Sequence, residues 1–223
     1  KDTSYTTFWH GYLYSALFFT LTHALNAIAS GSLFHYTVDF LRTDSFSGYF
    51  QISHLTNSLF GFYLFFFTGL SAKEVKGWRA AFLALFFMAI SPRFFGQSMN
   101  NPKDIPFAAT YMLTIYLMIR FFKQMPKPSF KTMVFLMIAI GMTIGTRVGG
   151  VILIGYLLLF GMLFYVLRRW RQKDPVPLLP WVGRLLGVAF SGYLIGLFFW
   201  PYGQINPLLN IFRALAKLSD FRF

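Results

Sequence analysis

The sequence predicts an all-α, polytopic bundle of about six membrane-spanning helices, and three observations predict it. Of 223 residues, 56% are hydrophobic and 21% aromatic while 12% are charged, far from the roughly half-apolar, quarter-charged composition of soluble domains. Thirty Phe are more than one core of this size can hide, so much of that surface must face hydrocarbon. Apolar runs recur at about the 20-residue length that a helix needs to cross a hydrocarbon core of about 30 Å. Lys and Arg gather in alternate connections between those runs, the pattern of loops held on one side of a bilayer.

The stretch 8–33 is as long as a span but carries His10, His23 and Asn26 among Tyr, Ser and Thr. It is expected to lie along the interface as an amphipathic helix, within an outer-face loop assigned to residues 1–53. Residues 54–223 form the transmembrane domain. Its expected spans are 55–70, 78–95, 105–122, 133–145 with its flanks, 150–167 and 182–200. Lys73, Lys76 and Arg79 follow the first span, and Arg120, Lys123, Lys127 and Lys131 follow the third. Arg168, Arg169, Arg171, Lys173 and Arg184 follow the fifth. These connections are assigned to the cytoplasmic side, and Gln172-Lys173-Asp174-Pro175-Val176-Pro177 reads as a turn there.

The net charge of +13 does not point to nucleic acid, whose binders carry their cations on one solvated face, whereas here the cations lie between apolar runs. The absence of Cys removes disulfides, thiolate catalysis and Cys-ligated zinc. No phosphate loop, nucleophile elbow or metal-spaced His pattern occurs. The start at Lys1-Asp2-Thr3-Ser4-Tyr5 has no basic segment leading into a short apolar core, and it reads as the middle of a longer chain.

The outward connections should be poor in Lys and Arg, and three residues break that rule: Arg93, Lys103 and Arg147. Each abuts an apolar run, where an ionised group is expensive and is usually kept for a reason. Singly, each is an interfacial anchor snorkelling to headgroups. Together, beside Gly and Pro, they suit a lipid-linked phosphate or pyrophosphate, which Arg grips through two parallel hydrogen bonds. Asp104 is one of only seven acids and stands at the outer start of a span. It can cap the helix that Pro106 begins. It can also join Asn100, Asn101 and Lys103 in a polar ledge, acting as hydrogen-bond acceptor, base or ligand of a divalent metal ion. No metal site is assigned. His54, ahead of the first span, is a minor binding candidate beside its plainer reading as a cap or interfacial hydrogen-bonder.

The run Ser91-Pro92-Arg93-Phe94-Phe95-Gly96-Gln97-Ser98-Met99-Asn100-Asn101-Pro102-Lys103-Asp104-Ile105-Pro106-Phe107-Ala108 resembles the second outer loop of bacterial glycosyltransferases of the dolichyl-phosphate-mannose protein mannosyltransferase type. These form family 39, with the C-type fold. His54-Leu55-Thr56-Asn57-Ser58-Leu59-Phe60-Gly61 resembles the start of that family's second span. Gly145-Thr146-Arg147-Val148-Gly149-Gly150 resembles its mid-chain basic turn, and Trp200-Pro201-Tyr202 with Asn206-Pro207 the outer loop that follows. The resemblance implies a multi-pass enzyme of the bacterial cytoplasmic (inner) membrane that moves a sugar from a polyprenyl-phosphate donor to a hydroxyl acceptor on the outer face. It also implies donor-phosphate contacts from Arg93, Lys103 and Arg147, with Asp104 as the outer-loop acid that helps place acceptor or donor. Asp104 is thus the catalytic candidate, and Asn101 and His54 join the three cations as substrate-binding candidates. The family's Asp-Glu pair after a first span has no counterpart before His54, where Asp39 and Asp44 do not fit it. A first span upstream and further spans downstream are therefore expected outside this sequence. The competing reading is a non-catalytic membrane subunit that keeps the fold and binds lipids and other membrane subunits. A transporter fits less well, because the polar residues gather at one face and not at mid-membrane.

Overall fold

In a computed structural model the described residues are 46–172 and 177–219. The expected interfacial helix at 8–33 lies outside them, as do Asp39 and Asp44. The described chain is a helix bundle, with α1 (Phe46–Ala89), α2 (Pro92–Asn100), α3 (Asp104–Gln124) and α4 (Phe130–Thr146). After a 3₁₀ turn at Val148–Val151 come α5 (Ile152–Gln172), α6 (Leu178–Phe198), α7 (Pro201–Ile205) and α8 (Leu209–Ser219). No strand occurs among the described residues. Four helical segments are long and apolar enough to cross a membrane by length and composition: His54–Ala89, Asp104–Gln124, Val148–Arg171 and Leu178–Phe198. The protein is a multi-pass, all-α membrane protein.

The first of these segments is a hairpin. Lys76 leaves helical geometry at φ −139° and Gly77 takes φ 76°, a left-handed conformation that glycine adopts without a Cβ clash. Sixteen residues of unbroken helix would separate Gly69 from Leu85 by about 24 Å. Instead a Cβ on Gly69 would stand 2.9 Å from Leu85 Cδ1, so the limb after Gly77 folds back on the limb before it. Lys73 Nζ lies 3.9 Å from the Trp78 ring centroid across the turn.

Two boundaries differ from expectation. The first helix starts at Phe46, upstream of residue 55, because the polar residues Ser47, Gln51, Ser53 and His54 are compatible with helix although they break the apolar run. The span expected at 78–95 is two helices. The hairpin's second limb ends at Ala89, and α2 starts at Pro92 with Ser91 Oγ accepting from Phe94 N. Pro92 lacks the N–H that a continuing helix needs and is at ease in a first turn.

α4 is the centre of the bundle. Leu136, Ile140 and Ile144 are fully buried, packed with Phe121 of α3, Leu153 and Leu157 of α5, and Trp181, Leu185 and Val188 of α6. At 17 residues it is shorter than its neighbours, and Phe135 and Ile138 leave one of its faces exposed. Its contact with α6 is built on missing side chains. A Cβ on Gly141 would meet Ile195 Cγ2 at 2.3 Å, one on Gly192 would meet Ile140 Cγ2 at 2.8 Å, and one on Gly196 would meet Ile144 Cβ at 2.7 Å. Small residues four apart let membrane helices approach this closely. Between α3 and α4, the buried hydroxyls of Thr114 and Thr143 meet at 3.1 Å, and each also lies within hydrogen-bonding distance of a carbonyl one turn back in its own helix, so one hydroxyl donates across to the other while the second donates within its helix.

The two ends of the bundle differ in charge. Lys123 Nζ pairs with Glu74 at 2.7 Å, and Arg168 Nη1 donates to the Met125 carbonyl. The hairpin turn, the α3–α4 connection and the end of α5 therefore share one end, with the three basic groups seen in the sequence. Asn101, Asp104, Arg147 and Trp200 share the other.

Candidate functional site

The site at the second end begins with a side chain that closes one helix and opens the next. Asn101 follows the last residue of α2, and its N–H returns to the Gln97 carbonyl at 2.9 Å. Its side-chain Oδ1 accepts from the backbone N–H groups of Lys103 (3.2 Å) and Asp104 (2.9 Å). Asn101, and not Asp104, thus satisfies the unpaired donors at the start of α3. The expectation that Asp104 caps this helix is corrected: it is the first helical residue, where its charge suits the helix dipole and its carboxylate is released for other contacts. The other face of the Asn101 amide donates to Gln97 Oε1 at 2.6 Å and to Asp104 Oδ2 at 2.9 Å.

Arg147 reaches the same carboxylate from just past the end of α4, its Nη1 against Asp104 Oδ1. It stands in extended backbone (φ −154°, ψ 135°) between α4 and the 3₁₀ turn. The turn is tight because Gly150 lies on the last turn of α4, where a Cβ would fall 2.8 Å from Ile144 N. Val148 beside it is buried with Trp200, Leu197 and Ala214, so the segment after α6 packs over this turn. Gln204 Nε2 closes α6 by donating to the carbonyls of Leu197 (2.8 Å) and Phe198 (2.9 Å), and Asn210 Nδ2 donates to the Tyr202 carbonyl at 2.7 Å. Neither half of the ion pair is buried: the side chains of Arg147 and Asp104 are 33% and 56% exposed. An exposed pair at the mouth of the bundle can exchange partners with a bound anion or hydroxyl at little cost.

α2 is held from below by the first limb of α1. His54 Nδ1 bonds the Met99 carbonyl at 2.9 Å; a carbonyl only accepts, so Nδ1 carries the proton. One turn on, Asn57 Nδ2 donates to the carbonyls of Gln97 (3.2 Å) and Ser98 (3.0 Å). Three successive carbonyls at the end of α2 therefore have donors from α1, at the place where Asn101 begins. Asn57 is 1% exposed, and its Oδ1 is buried with no partner. Below it, Gly61 lets Ser98 approach, and Phe65 stacks on Phe94 at 6.3 Å.

The expected site residues thus divide. Asp104, Asn101 and Arg147 converge, Lys103 contributes its backbone N–H, and His54 supports the turn through Met99. Arg93 is exposed in the first turn of α2 and makes no hydrogen bond or ion pair with the others. Asn57 and Gln97 were not singled out in the sequence. The signal for Asn57 was a polar residue three positions after His54, on the same helix face. Among the described residues no three His, Asp or Glu side chains come together as a metal site would require.

The family profile described as dolichyl-phosphate-mannose-protein mannosyltransferase matches residues 41–195. The chain belongs to that family. The matched region holds the hairpin, α2, the Asn101–Asp104 turn, Arg147 and almost all of α6, so the converging residues lie inside it. Family membership implies a membrane glycosyltransferase of the mannosyltransferase kind, with a polyprenyl-phosphate-linked sugar as donor and membrane lipid around it. Comparisons with curated proteins and with solved structures gave no match.

Proposed function

We propose that this mannosyltransferase-family protein transfers a sugar from a polyprenyl-phosphate donor to a hydroxyl acceptor, at the end of the bundle that carries Asn101, Asp104 and Arg147. The observation that carries the reading is the Asp104–Arg147 pair. A carboxylate at the start of α3 and a guanidinium just past the end of α4 meet, partly exposed, at the end with fewer Lys and Arg. By the charge rule for loops this end faces away from the cytoplasm, on the periplasmic side in a bacterial inner membrane.

The acceptor oxygen attacks the anomeric carbon and forms the new glycosidic bond. The bond from that carbon to the phosphate oxygen breaks, and polyprenyl phosphate leaves with the electron pair. Arg147 holds the leaving phosphate as its charge grows, with Lys103 and Arg93 as further cations at the same end. Asp104 accepts the proton of the acceptor hydroxyl or positions it. Asn101 keeps the carboxylate oriented, and His54 and Asn57 fix the helix end from which Asn101 projects.

The test is transfer from radiolabelled polyprenyl-phosphate sugar by membranes containing the protein, comparing wild type with Asp104→Asn and Arg147→Ala at matched expression. Loss of transfer in both variants supports the site. Absence of transfer by wild type with mannosyl and other common donors would replace the enzyme with the non-catalytic subunit reading.

A further inference from the structure

The end of the bundle opposite the Asp104–Arg147 pair carries a feature that sugar transfer does not use. A groove of about 330 Å³ runs between α3 and α5. Ile115, Ile119 and Phe122 form one wall and Phe160, Leu163 and Leu167 the other, and Phe122 stacks on Phe164 at 6.3 Å across it. The lining is almost wholly apolar, as an acyl chain requires.

The mouth of the groove is cationic. Arg171 follows Leu167 by four residues and so continues the same face of α5 one turn on, and it is exposed. Arg168 reaches across to the Met125 carbonyl at the end of α3, and its Nε is buried without an acceptor. Lys127 follows in the α3–α4 connection. The only acid at this end among the described residues is Glu74, already paired with Lys123. Asp174, in the connection after α5, lies outside the described residues. Two guanidinium groups one turn apart, with no free carboxylate beside them among the described residues, form a seat for an anion. Basic pockets between membrane helices are where anionic headgroups bind.

We infer that this groove and its mouth bind one anionic glycerophospholipid, with an acyl chain between α3 and α5 and the phosphate at Arg168 and Arg171. A zwitterionic lipid would bring its own cation against these arginines, and a neighbouring apolar helix would leave them uncompensated.

Native mass spectrometry of the purified protein, titrated with phosphatidylglycerol or with phosphatidylcholine of the same chain length, reads this directly. Phosphatidylglycerol should be retained at least tenfold more tightly, for a single copy. Arg171→Gln, an exposed change that leaves packing intact, should weaken it several-fold, and Arg168→Gln with Arg171→Gln should reduce it to the phosphatidylcholine level. Leu163→Trp, which fills the groove, should weaken both lipids. Arg79→Gln with Arg184→Gln removes equal charge from the same end and should leave the single tight copy in place. Equal retention of the two lipids overturns the inference. So does a control pair that lowers retention as much as the groove pair, or a dihexanoyl phosphatidylglycerol that binds as tightly as the long-chain form.

Discussion

Asn57 gives the sharpest check on how the site is held. Replacing it with Leu keeps the branched outline, with methyl groups bulkier than the amide, and removes the two bonds to the Gln97 and Ser98 carbonyls. Gln97 O keeps the Asn101 N–H, so the loss falls chiefly on Ser98 O, an acceptor stranded at about 1–3 kcal/mol. Removing the already unpaired Oδ1 returns part of that, and a net loss of about 1–2 kcal/mol remains. Asn57→Asp is closer in shape but should be worse. It sets a carboxyl oxygen about 3 Å from two carbonyl oxygens in a site 1% exposed, a cost of several kcal/mol that protonation only partly relieves. Since about 1 kcal/mol moves the midpoint by about 2–4 °C in a chain of this size, Leu should lower it by about 2–8 °C and Asp by more. The protein lacks Cys, so thiol-reactive dyes do not report its unfolding, and the assay is tryptophan fluorescence in detergent with recovery of monodisperse protein after heating. If Asp is tolerated better than Leu, Asn57 does not act as a donor to α2 and the support drawn for the Asn101 turn is wrong.

The ion pair should behave in the opposite way. Asp104→Asn removes an exposed pair, so stability should change by less than about 1 kcal/mol, while transfer should fall about 100-fold or more; a midpoint that drops with activity would instead mark a structural pair. In the bundle, Gly196→Ala should cost about 1–3 kcal/mol through the Ile144 clash. Gly155→Ala, where a Cβ meets nothing within 4 Å, should be neutral or stabilising by up to about 1 kcal/mol; equal thermal midpoints for the two variants would deny the close packing of α4 and α6. Thr114→Val should cost about 0.5–1 kcal/mol. Adding Thr143→Val should cost less than the sum of the single changes, a non-additivity that thermal midpoints of the three variants can resolve.

Much of the fold was legible because lipid and water sort residues coarsely. Six apolar stretches and three basic connections are enough to fix the fold class and to place 73, 123 and 168 at one end, as the Glu74–Lys123 and Arg168–Met125 contacts require. What was not legible is backbone detail inside apolar runs. The break at Ser91–Pro92 hid within a hydrophobic span because hydropathy averages over about 19 residues while a helix stop is decided by one missing N–H. The glycine contact between α4 and α6 was present as Gly141 and as Gly192 with Gly196, but the sequence alone does not say which helix a small face meets. At the site, the residue types and their loop were visible, and the partnership was not. Asp104 and Arg147 are 43 positions apart, and only the antiparallel packing of α3 and α4 brings them together. The capping role went to Asn101 because an Asx side chain can reach forward two or three residues to backbone donors, leaving the acid at the helix start free to face Arg147.

The three glycines between α4 and α6 bear on more than stability. Gly141, Gly192 and Gly196 stack toward the end where α4 delivers Arg147 and α6 delivers Trp200, and the spacing of those two helices sets how closely Trp200 lies over Val148. The separation of the groups at the mouth is therefore governed from inside the bilayer, by positions that touch no substrate and possess no side chain. A complete substitution map of this protein should show two kinds of sensitive position: a few polar residues where chemistry is done, and a line of glycines between α4 and α6 where any added carbon pries that chemistry apart.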